Sequence, residues 1–535
     1  MIPYVIPADQ PVPQWRAAEV RLEGAVAREC PFNEIEVDVE FTSPDGSTVK
    51  RPAFWDGGTT WKARFAPDAT GTWAWRSTCT DADDAGLNGA SGTLECVPNS
   101  GETPVDRHGF IRVSANHRFF EHADGTPFFW LGDTHWLMPD TERTGECNHP
   151  GHQGGECPHG GQFQHLADVR REQGFTVYQL YPEFARRHWW TDDSHEHIDP
   201  ARFRDVFDFE MDYLASKGFV LAVGLGHYTN SIRYGEQSLK RWARYVVARY
   251  GAHPVVWITC QEMNCPPELG GRKCNDQAVW ERVAAEIARA NGHRQPHSAH
   301  QWVLGPGERP VWHAPWHNWF ALQGGHRGSG LTPLARYKAY RECEPVRPVL
   351  ETEAMYEKVD CGGVADADDA TRSAWRAMLA GCGGYTYGAA GIWALKWDPS
   401  DTAWKDYNHE VAGWYEGFAL PGAARMKILR DFFETLPWTA LEPRFDDAAW
   451  AAWEKPETRA LATVGGSTRY LVFCHGGDSA GELRGMDDGA KYRARWMNAA
   501  NGEIVEIGEI AVKDGVWRVP RMPGAGDWLL DVSKE

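Results

Sequence analysis

The chain has no apolar run near the ~20 residues of a membrane-spanning helix, so nothing in it reads as membrane-inserted. It has no excess of positive charge. Its 55 Lys and Arg stand against 74 Asp and Glu, a net charge of −19 that argues against a general nucleic-acid binder. No basic start followed by an apolar stretch opens MIPYVIPADQPVPQW, so no secretory signal is visible. The twelve Cys lack the tight spacing of a disulfide scaffold. Both features fit a cytoplasmic protein, although a trimmed secreted chain would look the same. No GxGxxG follows a first strand, which removes the dinucleotide fingerprint. No internal repeat or low-complexity linker stands out.

What is present is a globular composition, 42% hydrophobic and 24% charged, over 535 residues. That length fits about three domains. Trp is abundant, 27 residues. Indoles serve either large cores or flat apolar platforms, and sugar rings offer C–H faces that suit such platforms.

Three segments differ in pattern. Residues 1–104 contain short alternating strands with turns between them (AEVRLEGAV, NEIEVDVEFTSPDG, WKARFAPDATGTWAWRSTCT), the pattern of an antiparallel β-sandwich. Residues 105–435 alternate short apolar strands with helices of near-3.6 periodicity. The strands include FTVYQLYP, FVLAVGLGH, VVWITCQE, RPVLETEA and GIWALKW. This alternation predicts an α/β domain of (β/α)8 TIM-barrel type. Residues 436–535 return to strands and predict a small C-terminal antiparallel β-domain.

In a barrel, catalytic groups follow the C-terminal ends of strands. Polar residues do follow several apolar runs here: Asp133, His135 and Trp136; Tyr181 and Glu183; His227 and Tyr228; Glu262; Glu351 and Glu353; Tyr387 and Trp393. Glycoside hydrolysis needs one carboxylic acid to protonate the leaving oxygen and one carboxylate at the anomeric carbon. The interval between Glu262 and Glu353 leaves room for three βα units, which sets the two across a barrel mouth. Glu262 is therefore the candidate acid/base and Glu353 the candidate nucleophile. Glu351 is its rival, because side chains two apart on a strand share a face. Trp136, Trp316, Trp319, Trp393 and Trp397 are candidate platforms, and His297, His300 and Trp302 candidate rim residues.

Two Cys groups bear on metal binding. Cys147, His149, His152, Cys157 and His159 are of the right types for zinc, but their spacing matches no standard finger. Cys260, Cys265 and Cys274 surround Glu262 and read more simply as small buried hydrophobes. No metal and no cofactor is assigned.

These segments resemble the apiosidase-like glycoside hydrolases. PFFWLGDTHW (127–136) and REQGFTVYQLY (171–181) look like the opening of that catalytic domain. VVWITCQEMN (255–264) resembles its fourth-strand motif, and ETEAMYE (351–357) is similar to its seventh, which selects Glu353 over Glu351. NWFALQGGH (318–326) looks like a sixth-strand motif that implicates Gln323 and His326, and GGYTYGAAGIW (383–393) is similar to the last. The resemblance implies a retaining glycosidase that acts on an oligo- or polysaccharide. Asp133, His135, Trp136, Tyr181, Glu183, His227, Tyr228, Gln323, His326, Tyr387 and Trp393 would contact the substrate. Long loops at 137–162 and 265–275 favour exo action. A metal-dependent hydrolase using the Cys/His loop and a non-catalytic carbohydrate-binding protein are the alternatives. The sequence sets no oligomeric state.

Overall fold

A computed structural model describes residues 3–152, 157–182, 189–192, 194–302, 311–324, 330–445, 447–477 and 480–535. Its centre is an eight-stranded parallel sheet. The strands are β1 (Trp130–Thr134), β2 (Val177–Leu180), β3 (Val220–Gly224), β4 (Val255–Ile258), β5 (His297–Ser298), β6 (Phe320–Gln323), β7 (Val349–Glu353) and β8 (Gly384–Tyr387). The strands pair in sequence, and β8 pairs with β1. Between β5 and β6 the ring is joined by a parallel bridge from His300 to Ala321 and by Ser298 Oγ, which donates to the Trp319 carbonyl over 2.6 Å. The strands are buried along their whole length, as parallel strands covered on both faces must be.

Seven longer helices form the outer layer: α1 (Gln162–Glu172), α2 (Asp208–Ser216), α3 (Gly235–Tyr250), α4 (Gln277–Ala290), α5 (Leu334–Arg341), α6 (Ala367–Leu379) and α7 (Pro421–Glu434). Their starts are written locally. Asp276 accepts from the Val279 N–H to cap α4, and Asp366 and Asp369 form a capping box on α6. On α6, Ala367, Ala370, Ala374, Trp375 and Met378 are buried at the 3–4 spacing of one helix face. Gly174 and Gly218 end α1 and α2 at φ 89° and 82°, the left-handed stop that glycine adopts at low cost.

The lower end of the barrel is plugged. A three-stranded antiparallel sheet (Ile111–Val113, Phe120–His122, Pro127–Phe128) places Phe120 5.7 Å from both Trp130 and Trp319. Trp319, expected as a sugar platform, is thus part of this buried floor.

The N-terminal strands form a four-stranded and a five-stranded sheet packed around Phe41, Phe65 and Trp73. The C-terminal strands form a six-stranded and a three-stranded sheet around Trp496 and Trp528. Both flanks are joined to the barrel's outer layer. Arg51 of the N-terminal sandwich is fully buried and donates to the carbonyls of Val247 (2.8 Å) and Ala290 (3.1 Å) in the last turns of α3 and α4. Those are the helix ends where unsatisfied carbonyls favour a cation. Trp375 of α6 stacks on Phe473 of the C-terminal domain at 6.0 Å.

One expected strand is absent. GIWALKW (391–397) is a run of turns, because Gly391 adopts φ 77° just after β8 and its N–H is taken by Asn408 Oδ1 at 2.9 Å. The turn carries Trp393 over the barrel mouth. No helix among the described residues is long and apolar enough to cross a membrane.

Candidate active site

Glu262 sits four residues beyond β4. Gln261 extends the strand through a bridge to His227, and the chain then turns, with Glu262 itself at φ 53°. A non-glycine residue in this region is uncommon and is held there by its surroundings. Here the buried Asn275 amide donates to the carbonyls of Met263 (3.0 Å) and Cys265 (2.7 Å), and the Cys265 N–H closes on the Glu262 carbonyl at 2.8 Å. The turn aims the carboxyl into the mouth, where Gln323 Nε2 donates to Glu262 Oε1 over 2.9 Å. Burial, and then the charge of Glu353, push the Glu262 carboxyl up to about 7, against the opposing pull of Gln323 and His300. An acid held protonated near neutrality suits general-acid work.

Glu353 ends β7, and the register explains why it differs from Glu351. Leu322 pairs with Glu351 and Gln323 with Glu353, so Thr352 is an extra residue on β7. This bulge breaks the alternation, and the two carboxylates part. Glu351 turns away from the mouth to accept from the Gly324 N–H (2.8 Å) and the Tyr337 hydroxyl of α5 (2.8 Å). Glu353 faces the cavity, with His300 Nε2 2.9 Å from its Oε2. The Tyr356 hydroxyl bonds Glu353 and accepts from Trp136 Nε1 at 2.7 Å.

These groups open into a cavity of about 960 Å³ at the C-terminal end of the strands. Its lining includes His227, Tyr228, Glu262, Gln323, Glu353, Tyr356 and Trp393, so six residues named from the sequence as catalytic or substrate-contacting meet there. Burial lowers His227 to about 4 and keeps its imidazole neutral. The other lining residues include aromatics: Trp302, which has its edge toward Tyr228 at 6.4 Å, and Trp404 and Tyr407, 5.5 and 6.0 Å from Trp393. Trp404 and Tyr407 are exposed large aromatics that the sequence reading did not single out. Trp404 caps and Tyr407 lies in a single helical turn (Lys405–Asn408) beyond the last barrel strand, where no strand ending marks them.

Several expected substrate contacts lie instead beneath the cavity. Asp133 and His135 are fully buried and committed to each other and to protein partners. Arg170 Nε reaches Asp133 at 2.5 Å, and His135 bridges Asp133 (3.1 Å) and Glu142 (2.6 Å) while stacking on Tyr178. Trp136 is buried and supports Tyr356. Tyr181 is buried against Gly224, where a Cβ would fall 1.8 Å from its ring. The charges of Glu353 and Glu262 both reach its hydroxyl. Tyr387 is buried and donates to Glu357 at 2.7 Å. Trp397 lies under the Arg143 guanidinium at 4.0 Å, and Trp316 packs on His297 at 4.7 Å. Glu183 and His326 lie outside the described residues.

All twelve cysteines are free thiols. Cys260 and Cys265 are buried as expected, whereas Cys147, His152 and Cys157 gather their ligand atoms within 4.8 Å of one another, apart from the cavity.

Comparison with known proteins follows the same lines. A candidate glycoside hydrolase from Bacteroides vulgatus ATCC 8482 is 18% identical with a TM-score of 0.72, and the alignment covers 98% of this chain and 100% of that one. A glycoside hydrolase family 5 structure from the same organism is 20% identical with a TM-score of 0.64, covering 81% of this chain and 95% of that one. A further glycoside hydrolase is 21% identical with a TM-score of 0.64, covering 81% and 98%. At these identities the likeness is one of fold. No curated protein matches the chain. A domain of unknown function (DUF5060) matches residues 11–80. The apiosidase-like catalytic domain matches residues 114–440, more than half of the chain and all eight barrel strands, so the protein belongs to the apiosidase-like family and is a glycosidase.

Proposed function

We propose that the protein cleaves a glycosidic bond by a retaining mechanism, with Glu262 as acid/base and Glu353 as nucleophile. The observation that carries this reading is the shared cavity in which Gln323, the cross-strand neighbour of Glu353, donates to Glu262. In the first step Glu262 gives its proton to the glycosidic oxygen while Glu353 attacks the anomeric carbon. The C–O bond to the leaving group breaks and a glycosyl ester forms on Glu353. In the second step the Glu262 carboxylate takes a proton from water, the water oxygen displaces Glu353, and both carboxyl groups return to their starting states. Retaining enzymes hold such a pair about 5–5.5 Å apart. Glu262 and Glu353 line the same cavity, and the charge of Glu353 is felt at Glu262.

The substrate is an oligosaccharide or polysaccharide, bound at its end. The cavity volume falls in the range of small-ligand pockets, about 300–1,000 Å³, and Trp302, Trp393, Trp404 and Tyr407 offer ring faces around it. The proposed compartment is the cytoplasm. A screen of p-nitrophenyl glycosides and oligosaccharides, with Glu262→Gln and Glu353→Gln as controls, tests the assignment. Retention of anomeric configuration in the first product by NMR is expected, and an inverted first product overturns the two-step mechanism. Release of internal fragments from a polymer overturns the exo assignment.

A further inference from the structure

The loop that follows β1 brings soft ligands together at a place separate from the carboxylates. Cys147 Sγ is 3.2 Å from His152 Nδ1, and Cys157 Sγ is 3.9 Å from His165 Nδ1. The ligand atoms of Cys147, His152 and Cys157 all lie within 4.8 Å of one another. A tetrahedral zinc ion with bonds of about 2.3 Å to sulfur and 2.0–2.1 Å to nitrogen has S–N edges of roughly 3.5 Å. The Cys147–His152 and Cys157–His165 contacts bracket that value.

We propose that Cys147, His152, Cys157 and His165 bind a structural zinc(II) ion. The thiols of Cys147 and Cys157 each lose a proton to solvent on binding, and the two imidazoles bind neutral through Nδ1. The Nδ1 atoms of the neighbouring imidazoles have other partners. His159 Nδ1 pairs with Asp168 at 3.2 Å, and His149 Nδ1 accepts the Gly151 N–H at 3.0 Å.

His165 lies in α1, beyond the Cys/His-rich loop, so the fourth ligand comes from a helix that the loop must fold back to meet. The ion would clasp the loop to the barrel beside Asn148. The Asn148 amide donates to the Trp397 carbonyl (2.9 Å) and accepts from Trp414 Nε1 (2.6 Å). The clasp therefore ties the loop after β1 to the segment after β8, which carries Trp393, Trp404 and Tyr407 on the cavity wall. A closed four-ligand set of this kind has no open position for a substrate, so the role is structural.

The full chain, without an affinity tag and purified without chelator, tests the site by elemental analysis. About one zinc ion per chain is expected, falling to a trace in the C147S/C157S double variant and in His165→Ala, and kept in His149→Ala. Apo protein titrated with Co(II) should show thiolate-to-metal charge-transfer bands and the visible bands of tetrahedral cobalt. This measurement uses the unaltered sequence and does not depend on the variants folding. Absence of zinc together with no Co(II) uptake overturns the proposal, as does a Cys147–Cys157 disulfide in a non-reducing peptide map. Loss of metal from His149→Ala with retention in His165→Ala overturns the ligand set. Zinc content in Glu353→Gln should equal that of the parent chain, so this result stands or falls separately from the glycosidase mechanism.

Discussion

Gln323 Nε2 donates to Glu262 Oε1 over 2.9 Å. A donor to a carboxylate favours its ionised form, whereas burial and the charge of Glu353 favour the protonated one. Gln323 therefore limits how far Glu262 is raised. In Gln323→Leu the carboxyl should titrate above its present value of about 7. The basic limb of the kcat/KM profile should move to higher pH, and turnover should fall about tenfold. A pH–rate series on the variant checks this, and an unmoved basic limb would show that the limb does not belong to Glu262.

The parent enzyme should lose activity as pH rises through about 7, because the proposed first step consumes the proton on Glu262. Glu353→Gln removes both the proposed nucleophile and the like charge. Turnover should fall by at least about 10³-fold, and the Glu262 titration followed by carboxyl NMR should move down toward the ordinary carboxylate range. If the titration does not move, the two carboxylates are not coupled as the retaining mechanism requires.

Tyr356 holds Glu353 from one side and the Trp136 indole from the other. Tyr356→Phe keeps the ring and removes both bonds. A hydrogen bond to a charged group contributes about 1.5–3 kcal/mol, which corresponds to a 10–100-fold loss in kcat/KM of that order. A drop confined to melting temperature would place Tyr356 in packing alone.

The aromatic residues divide by burial. Trp404 is 41% exposed at the cavity and Trp136 is fully buried. Trp404→Ala should raise KM and leave the melting temperature within a degree or so, since surface substitutions cost little. Trp136→Ala should destabilise the fold by about 3–5 kcal/mol. Steady-state kinetics beside thermal melts separate the two.

The strand–helix alternation made the barrel readable, because buried parallel strands are continuous apolar runs and each is followed by a periodic helix. The order of strand endings brought Glu262 and Glu353 into view, and the resemblance to the apiosidase-like family added Gln323. Three things were not readable. The bulge at Thr352, which parts Glu351 from Glu353, depends on register against β6. Trp404 and Tyr407 reach the cavity from a stretch with no strand periodicity. Asp133 and His135 follow an apolar run like the residues that line the cavity, and only their partners Arg170 and Glu142 reveal that they are sealed beneath it. A polar residue after a barrel strand is therefore a sign of position, and its neighbours decide its role.

That buried group also sets a pH window for stability. Burial raises the Asp133 carboxyl, but Arg170 and His135 outweigh it and hold the group below the usual carboxylate range. Its contribution is present above that range and lost as pH falls. Burial lowers His135, but Glu142 and Asp133 outweigh it and lift the imidazole to about 9. The imidazolium therefore stabilises the folded state fully below its ordinary value of 6.5, and that contribution is lost as pH rises through about 9. Asp133→Asn would leave the Arg170 guanidinium buried without its charge partner, a loss of about 3–5 kcal/mol. Melting temperature should fall accordingly, while KM of the folded enzyme should stay within about twofold, as expected of a side chain that does not line the cavity. His135→Gln should flatten the decline of melting temperature between neutral and alkaline pH. A raised KM in Asp133→Asn with an unchanged melting temperature would restore the substrate-contact role that its place near the end of β1 first suggested.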